Sequence, residues 1–257
     1  MTQYNYDKLD RLIEIINPNR ENTYYTYDLR GNRKTLIGNI LLDLDSESYM
    51  YDSRNRLSQV TKGAITTNFS YNTEGLRYRK STNSKTVQYH YNMNGEVIAD
   101  GDASGNIKSN YVWGPDRALV KKDISTGKDY YYLYNGHGDV IQIVDTAGNV
   151  VNNYSYDEWG NILSKKETID NPFKYAGEIF DDETGLYYLR ARYYDPQIGR
   201  FINEDSYEGQ VNNPLTLNLY TYGNNNPLMY IDPSGKYGSR PVLQELPARL
   251  YFGNGRI

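Results

Sequence analysis

Acidic residues in two Asp-Pro turns are the first candidates for chemistry. The stretch "YDPQIGRF" contains Asp195, "YIDPSG" contains Asp232, and a glycine follows each Asp-Pro pair. In an ordinary turn the carboxylate accepts local backbone hydrogen bonds, proline fixes φ and glycine adopts a positive φ. Two carboxyl groups confined together cannot both ionise at low cost, so one can act as an acid while the other acts as a base. The residues alone leave both interpretations open.

A second acidic stretch, "DGDASGN", has the alternating oxygen ligands of a calcium loop. Asp100, Asp102 and Ser104 stand at alternate positions, and Gly105 occupies the sixth position of an EF-hand loop. The twelfth position, which should be a bidentate glutamate, is Tyr111, and the flanking segments are typical of strands. The pattern therefore favours a hairpin turn. No metal site is predicted, and the absence of cysteine excludes thiolate ligands.

The histidines and tryptophans carry weaker signals. His90 and His137 offer too few ligands for a metal site, and no G-x-S-x-G motif accompanies them. They are interpreted as a strand side chain and a turn residue. Trp113 and Trp159, together with the many tyrosines, could form sugar-stacking platforms or ordinary cross-strand packing pairs, and packing is favoured.

The elements that must position these residues come from an internal repeat. A tyrosine, then Asp or Asn, polar residues, Gly or Asn and an alternating segment recur at intervals of 20 to 24 residues. The phrase begins at Tyr6, Tyr27, Tyr51, Tyr71, Tyr91, Tyr111, Tyr134 and Tyr156. Such a period is typical of repeat architectures, and each unit reads as strand, turn and strand. The sequence predicts an all-β fold.

Composition agrees with a thin β structure and excludes several functions. The 257 residues include 29 tyrosines, and the net charge is −4, which gives no reason to expect nucleic acid as a partner. Tyrosine suits a half-buried pleated surface better than a thick aliphatic core. The segment "MTQYNYDKLDRL" lacks an apolar signal region, and no run approaches about 18 apolar residues, so neither an export signal nor a membrane span is expected.

The Tyr-Asp phrases resemble YD repeats, and a longer stretch resembles the Rhs-repeat-associated core domain. The matching core residues are "YDEWGNI", "FKYAGEIFDDETGLYYLRARYYDPQIGRFINEDS" and "LNLYTYGNNNPLMYIDPSG". The resemblance implies strand-turn-strand hairpins that form part of a spiralling hollow β shell, closed at one end by the core domain. The expected organisation is a YD-repeat sheet over residues 1–155, the core domain over 156–235 and a short C-terminal stub over 236–257.

The resemblance also implies a site. In the family, the chain cleaves itself just after the Asp-Pro-x-Gly turn, with the help of acidic residues and an arginine. The matching positions are Asp205, Asp232 and Arg200, with Asp195 and Arg192 as further candidates. The expected cleavage site is Gly235, Lys236 and Tyr237; the family commonly has an apolar residue where this chain has Lys236.

The resulting functional hypothesis is an encapsulating β shell that would enclose a C-terminal toxin or cargo polypeptide. Two alternatives stay open: an aspartic-type protease acting on its own chain, and a module that binds carbohydrate or a cell surface. No cofactor and no small-molecule turnover are expected. The resemblance implies a secreted or cell-surface location, and unpaired first and last strands would permit self-association through sheet edges.

Overall fold

The computed structural model describes residues 1–18, 21–38, 46–212, 214–236 and 240–242. Within these ranges the chain is almost entirely β-structure, and the helical elements are three short 3-10 turns at Tyr175–Gly177, Pro214–Thr216 and Gly223–Asn225. None of the helices in the described ranges has the length and apolar character needed to cross a membrane.

Sixteen strands form one antiparallel sheet in which each strand pairs with its neighbours in sequence. They are β1 (Gln3–Tyr6), β2 (Leu12–Ile16), β3 (Thr23–Tyr27), β4 (Arg33–Ile37), β5 (Glu47–Tyr51), β6 (Leu57–Lys62), β7 (Ile65–Tyr71), β8 (Arg77–Ser81), β9 (Thr86–Tyr91), β10 (Val97–Gly101), β11 (Ile107–Trp113), β12 (Ala118–Asp123), β13 (Asp129–Tyr134), β14 (Val140–Asp145), β15 (Val150–Tyr156) and β16 (Ile162–Glu167). The predicted all-β hairpin fold is confirmed.

The remaining strands form two small antiparallel sheets. One contains β17 (Ile179–Asp181), β18 (Leu186–Leu189), β19 (Arg192–Asp195) and β20 (Arg200–Phe201), and the other contains β21 (Tyr230–Ile231) and β22 (Arg240–Pro241). We call residues 169–236 the core segment. The large sheet runs to Glu167, whereas the predicted division of the chain at residue 155 stays a prediction.

The Asp or Asn that follows each repeat tyrosine makes the turn. Asp28 Oδ1 accepts hydrogen bonds from the backbone N–H groups of Arg30, at 2.8 Å, and Asn32, at 2.9 Å. A side-chain oxygen that accepts local N–H groups stabilises a turn against competing backbone conformations. Asp102 makes the same contacts with Ser104 and Asn106, so "DGDASGN" is a hairpin turn between β10 and β11.

The repeat tyrosine joins each hairpin to the one before it. The Tyr51 hydroxyl donates to the carbonyl oxygen of Arg33 at 3.0 Å, and the same hydroxyl–carbonyl bond recurs along the sheet. The other pairs are Tyr27–Leu12, Tyr71–Leu57, Tyr91–Arg77, Tyr134–Ala118 and Tyr156–Val140. Since the bond needs both a ring of this reach and a donor at its tip, tyrosine is the natural residue at this position.

The sixth repeat corrects the sequence alignment. We call the residue that makes this bond to the previous hairpin the ladder position. In the sixth repeat Trp113, rather than Tyr111, occupies it, and the Trp113 Nε1 donates to the Val97 carbonyl oxygen at 2.7 Å. The Tyr111 ring is buried and its hydroxyl donates to Asp100 at 2.5 Å. The repeat therefore aligns on Trp113, and its assignment to Tyr111 was wrong by two residues. A tryptophan can replace the tyrosine here because its indole N–H donates the same hydrogen bond as the tyrosine hydroxyl.

A register shift occurs at every ladder position. In β3, Thr26 opposes Thr35 but Tyr27 opposes Arg33, and equivalent shifts precede Tyr6, Tyr51, Tyr71, Tyr91, Trp113, Tyr134 and Tyr156. An extra residue on one strand bends that strand and increases its twist. Repeating this feature once per hairpin bends a long sheet in one direction.

The core segment packs against the face of this sheet that carries its buried tyrosines. Tyrosines, phenylalanine and aliphatic residues from β5 to β15 form one buried cluster with Phe173, Ile179, Leu186, Tyr188 and Tyr193 of the core segment. A second buried cluster lies within the core segment itself and contains Tyr175, Tyr187, Leu189, Tyr194, Phe201 and Tyr222. The inner tyrosines therefore pack against this chain's own core segment along much of the sheet.

Buried ion pairs fix the core segment to the sixteen-stranded sheet, which we call the wall. Arg77 of β8 contacts both carboxylate oxygens of Asp181 in β17, Nη2 to Oδ1 at 3.1 Å, and neither side chain is exposed. Lys80 adds a contact with Asp181 at 3.0 Å. Burial alone would raise the pKa of Asp181, but Arg77 and Lys80 hold it below its ordinary value. The rings of Phe69, Tyr89, Tyr188 and Tyr193 surround the Arg77 guanidinium at 4.4 to 5.7 Å.

We expect Asp181→Asn to destabilise the protein by about 3–5 kcal/mol, because it leaves the buried Arg77 charge without its anion. The measurement is the free energy of unfolding in a denaturant titration. Asp129→Asn is the matched control: its partner Lys122 lies 3.5 Å away and both side chains are exposed, so a loss of at most about 1 kcal/mol is expected. Equal losses in the two variants would contradict this account of the interface.

Candidate functional site

The candidate site is built around Arg192, the first residue of β19. This strand forms a hairpin with β18 through a two-residue loop, Arg190 and Ala191. Arg192 Nη2 contacts Asp205 Oδ2 at 2.7 Å and Asp232 Oδ2 at 3.4 Å, so one guanidinium nitrogen joins two carboxylates. Its Nη1 donates to the Leu219 carbonyl oxygen at 2.9 Å. The structure thus brings together three residues that are separated by up to 40 positions in sequence.

The two carboxylates have different surroundings. Asp232 is 4% exposed, and burial raises the pKa of its carboxyl above the ordinary value; the nearby Asp205 also raises it, whereas Arg192 and the Ser234 N–H oppose the rise. Asp205 accepts a hydrogen bond from the Tyr207 N–H at 3.0 Å and holds the shorter contact with Arg192. Burial therefore favours the protonated form of Asp232, while Asp205 is paired directly with the cation.

The tip of the β18–β19 hairpin holds the second Asp-Pro turn by three successive carbonyl oxygens. Arg190 Nη1 donates to the carbonyl oxygen of Pro233, the Ala191 N–H donates to that of Ser234 at 3.2 Å, and Arg192 Nε donates to that of Gly235 at 2.6 Å. We call this arrangement the carbonyl clamp. It places the carbonyl group that follows the turn directly on the arginine that binds both carboxylates.

Gly235 is the residue that this close approach requires. Its φ is +64°, and a Cβ atom at this position would overlap the carbonyl oxygen of Leu189 and crowd the backbone nitrogen of Arg192. Any L-residue would therefore be strained and would also push the turn away from the hairpin. The glycine of the Asp-Pro-Ser-Gly turn permits the contact with Arg192.

The hydroxyl of Ser234 lies beside the next peptide unit. Ser234 Oγ is 3.3 Å from Asp232 Oδ1 and accepts a hydrogen bond from the Lys236 N–H at 3.2 Å. The same oxygen lies 3.4 Å from the Lys236 carbonyl oxygen. Lys236 itself is exposed. The hydroxyl therefore links the Asp232 carboxyl to the peptide nitrogen between Gly235 and Lys236.

The other predicted site residues lie elsewhere. The Arg200 side chain contacts the Asp10 carbonyl oxygen at 3.0 Å, Asn218 Oδ1 at 2.9 Å and the ring of Tyr6, none of which belongs to the Arg192 cluster. Asp195 pairs with the buried Arg33 at 2.7 Å and also receives the Gln197 N–H at 3.0 Å. Its turn therefore fastens the core segment to β4 of the wall.

One predicted cleavage residue, Tyr237, lies outside the described residues, as does most of the predicted stub. His90 lies in a strand and His137 in a turn, as the sequence predicts. His90 is an exposed strand residue, and His137 is a turn residue whose ring nitrogens contact Asp139 at 2.7 Å and the Pro227 carbonyl oxygen at 2.8 Å. Trp113 packs edge-on against Phe173.

The core segment covers the end of the sheet where the repeat turns lie. The hydroxyls of Tyr220, Tyr187 and Tyr194 donate to the carbonyl oxygens of Gly31, Gly160 and Trp159, all at 2.7 to 2.8 Å. A cavity of about 700 Å³ lies between the connections that join successive hairpins, at 102, 123 and 125–126, and residues 169–172, 180 and 182–183 of the core segment. Across the described ranges, no group of three or more acidic or histidine residues could hold a metal ion.

Reasoning from sequence missed the residues that position the turn. Arg190 carries no motif of its own; the short interval between β18 and β19 in "LYYLRARYYD" is the one signal that a two-residue hairpin loop presents it. Glu178, the partner of Arg190 at 2.9 Å, gave no signal. Arg192 was named from the family pattern, and its contacts could not be read from its spacing.

Comparison with known proteins supports this description. A family model described as the Teneurin YD-shell matches residues 105–228. The tRNA nuclease WapA of Bacillus subtilis is 36% identical over 271 aligned residues, which cover 90% of this chain and 12% of that protein. The double-stranded DNA deaminase toxin A of Burkholderia cenocepacia is 27% identical, over 93% of this chain and 21% of that protein. The chain thus spans only a small part of these relatives.

A solved structure shares the fold. The structure of the Photorhabdus luminescens Tc holotoxin pore superposes with a TM-score of 0.58 at 20% identity, and the match covers 91% of this chain and 15% of that one. With the ladder of YD hairpins and the core segment that covers one end, these matches establish that the chain belongs to the Rhs/YD-shell proteins.

Proposed function

We propose that the chain forms the closed end of a β shell that encloses a cargo polypeptide, and that its core segment cleaves the chain just after the Asp-Pro-Ser-Gly turn. The observation that carries the proposal is that Asp205 and Asp232 both contact the guanidinium of Arg192, whose Nε donates to the carbonyl oxygen of Gly235. A buried cation, two carboxyl groups and a glycine backbone held against them match the needs of peptide-bond hydrolysis.

The shell part of the proposal rests on how the space inside the sheet is used. The core segment closes the repeat-turn end, and the cavity of about 700 Å³ between the hairpin connections and the core segment is the size of a small-ligand pocket, roughly 300–1,000 Å³. That volume admits a short chain segment and not a folded domain. A cargo domain would therefore lie beyond this cavity, enclosed by additional wall.

The first step of cleavage needs a base and a polarised carbonyl. Arg192 Nε, 2.6 Å from the Gly235 carbonyl oxygen, would stabilise the negative charge that develops there. Asp205, in direct contact with Arg192, would take a proton from a water molecule, whose oxygen then bonds to the Gly235 carbonyl carbon. This role falls to Arg192, since Arg200 contacts other groups.

The second step breaks the bond between the Gly235 carbon and the Lys236 nitrogen. Asp232, whose pKa is raised by burial, would supply a proton to the departing nitrogen, with Ser234 Oγ within reach of both groups. The products are a carboxyl group on Gly235 and an amine on Lys236. Water is the one co-reactant, and no cofactor is needed.

The identity of the cargo is proposed by analogy. The similar proteins in Bacillus and Burkholderia are named as a tRNA nuclease and a double-stranded DNA deaminase toxin. We infer that the cargo is a toxic enzyme and that the shell acts outside the cell that makes it, either secreted or on its surface. Nucleic acid is then a target of the cargo and not of the shell, whose net charge is −4.

The outer edge of β1 offers a route for extending the wall. All four residues of β1 are exposed, and in the described part of the chain it pairs with β2 alone. β16 at the opposite edge carries Lys165 and Lys166, the kind of charge that discourages further pairing. We infer that β1 is the edge that accepts another strand, from further wall or from a second copy.

Self-cleavage should remove the residues after Gly235 from the purified protein, and intact mass measurement tests this directly. Asp205→Asn, Asp232→Asn and Arg192→Gln should each leave the chain whole or slow its cleavage by at least about 100-fold, the usual contribution of one acid, base or oxyanion donor. Arg200→Gln is the matched control and should cleave as the parent protein does.

A parent protein that keeps its full mass would refute self-cleavage and leave the shell role standing. Loss of cleavage in Arg200→Gln together with normal cleavage in Arg192→Gln would show that Arg200, and not Arg192, supports the reaction. A fragment that ends at Lys236 rather than Gly235 would place the reaction at the next peptide bond, contrary to the proposed contact between Arg192 and the reacting carbonyl.

The rate of cleavage should fall as pH rises through the pKa of Asp232. The reaction uses the protonated carboxyl, and because this pKa is raised, the fall should begin at a higher pH than for an ordinary aspartate. The measurement is the rate of fragment formation after refolding at a series of pH values. A rate that does not change with pH above the ordinary aspartate range would contradict the role of Asp232 as the acid.

A further inference from the structure

We propose that Glu178 and Arg190 form a positioning pair, which holds the Asp-Pro-Ser-Gly turn on the hairpin and neutralises the positive charge of Arg190 beside that turn. The inference rests on the proposed self-cleavage for its kinetic consequence, but the holding of the turn stands independently. Neither residue touches the reacting atoms, so both act through the placement and charge of other groups.

The first support is the geometry of the pair. Arg190 Nη1 lies 2.9 Å from each carboxylate oxygen of Glu178 and also donates to the carbonyl oxygen of Pro233. Glu178 comes from the segment that precedes β17, Arg190 from the hairpin loop, and Pro233 from the turn. One guanidinium therefore joins three parts of the core segment at the point where the turn docks.

The second support is the order of the carbonyl clamp. Arg190, Ala191 and Arg192 are consecutive, and they bind the consecutive carbonyl oxygens of Pro233, Ser234 and Gly235. A shift of the turn by one residue would break all three contacts together. The Arg190 contact is therefore one of the three that fix the register in which the Gly235 carbonyl reaches Arg192.

The third support is the backbone of Arg190. Its φ is +58°, in the left-handed region that costs a non-glycine residue roughly 1–2 kcal/mol. The two-residue loop to which Arg190 belongs requires such a conformation, and glycine would adopt it without this cost. An arginine side chain at this position therefore has a use that offsets the strain, and the contacts with Glu178 and Pro233 supply it.

The fourth support is electrostatic. Burial raises the pKa of Glu178, the Asp232 charge raises it further, and Arg190 opposes both effects. The titratable groups around the pair are Tyr91 of β9, Tyr188 of β18 and, from the C-terminal part, Tyr222 and Asp232. Coupling is reciprocal, so an ionised Glu178 disfavours ionisation of Asp232 and also neutralises Arg190, which would otherwise favour it.

Two variants separate these roles. Glu178→Gln keeps an oxygen that can accept from Arg190 but removes the negative charge, so the turn should stay docked while the pKa of Asp232 falls. Arg190→Gln should release the turn. The matched controls are Glu74→Gln and Arg54→Gln, at exposed hairpin turns of the wall, which should behave as the parent protein does in every measurement.

The first measurement does not depend on cleavage. In an Asp205→Asn background, which keeps the chain whole, hydrogen exchange of residues 232–236 should be at least tenfold faster after Arg190→Gln and unchanged after Glu178→Gln. The Asp232 carboxyl, followed by carbon NMR, should titrate at a lower pH after Glu178→Gln. Unchanged exchange in Arg190→Gln, or an unchanged Asp232 titration in Glu178→Gln, would overturn the positioning pair.

The second measurement is the rate of cleavage against pH. Glu178→Gln should move the alkaline fall in rate to lower pH; a shift of one pH unit makes the rate above that fall about tenfold slower. Arg190→Gln should slow cleavage at every pH. If the parent protein does not cleave, the proposed self-cleavage is refuted while the exchange and titration results still decide the inference. Unchanged pH profiles in a cleaving protein would overturn the inference alone.

Discussion

The constraint on which this structure depends is the neutralisation of cations buried on the inner face of the wall. Arg77 and Arg33 are both fully buried, and their carboxylate partners, Asp181 and Asp195, come from the core segment more than 100 residues later. A buried guanidinium without its anion costs several kcal/mol, so the wall and the core segment are energetically one unit. The aromatic rings around Arg77 complete its surroundings, and the same rings form the apolar interface.

This constraint also explains how the position of Arg192 in the candidate site is fixed. Arg192 lies in the strand β19, between Tyr193 and the hairpin tip, and β19 ends at Asp195, which is tied to Arg33. One end of a four-residue strand is therefore anchored to the wall while the other end holds the turn. Small rigid elements maintain a catalytic geometry better than long loops do.

The sequence could predict the wall but not the arrangement inside it. The repeat phrase contains its own explanation, since Asp28 makes the turn and Tyr51 reaches the previous hairpin, both through local contacts. Trp113 was missed because the regular spacing of the repeat was expected to place a tyrosine in every unit, and Tyr111 matched that spacing. The choice between Arg192 and Arg200 depends on which face of a short hairpin meets Asp205 and Asp232, and that follows from packing between segments far apart in sequence.

The tyrosine ladder has a consequence for how the chain can be built. Each ladder donor reaches a carbonyl oxygen in the hairpin that precedes it in sequence, from Tyr27 to Leu12 through to Tyr156 and Val140. A hairpin emerging from the ribosome therefore meets a partner that has already been synthesised and never waits for one still to come. The wall can grow in the direction of translation, and the anions that neutralise Arg33 and Arg77 arrive last, so the final docking of the core segment locks a sheet assembled beforehand.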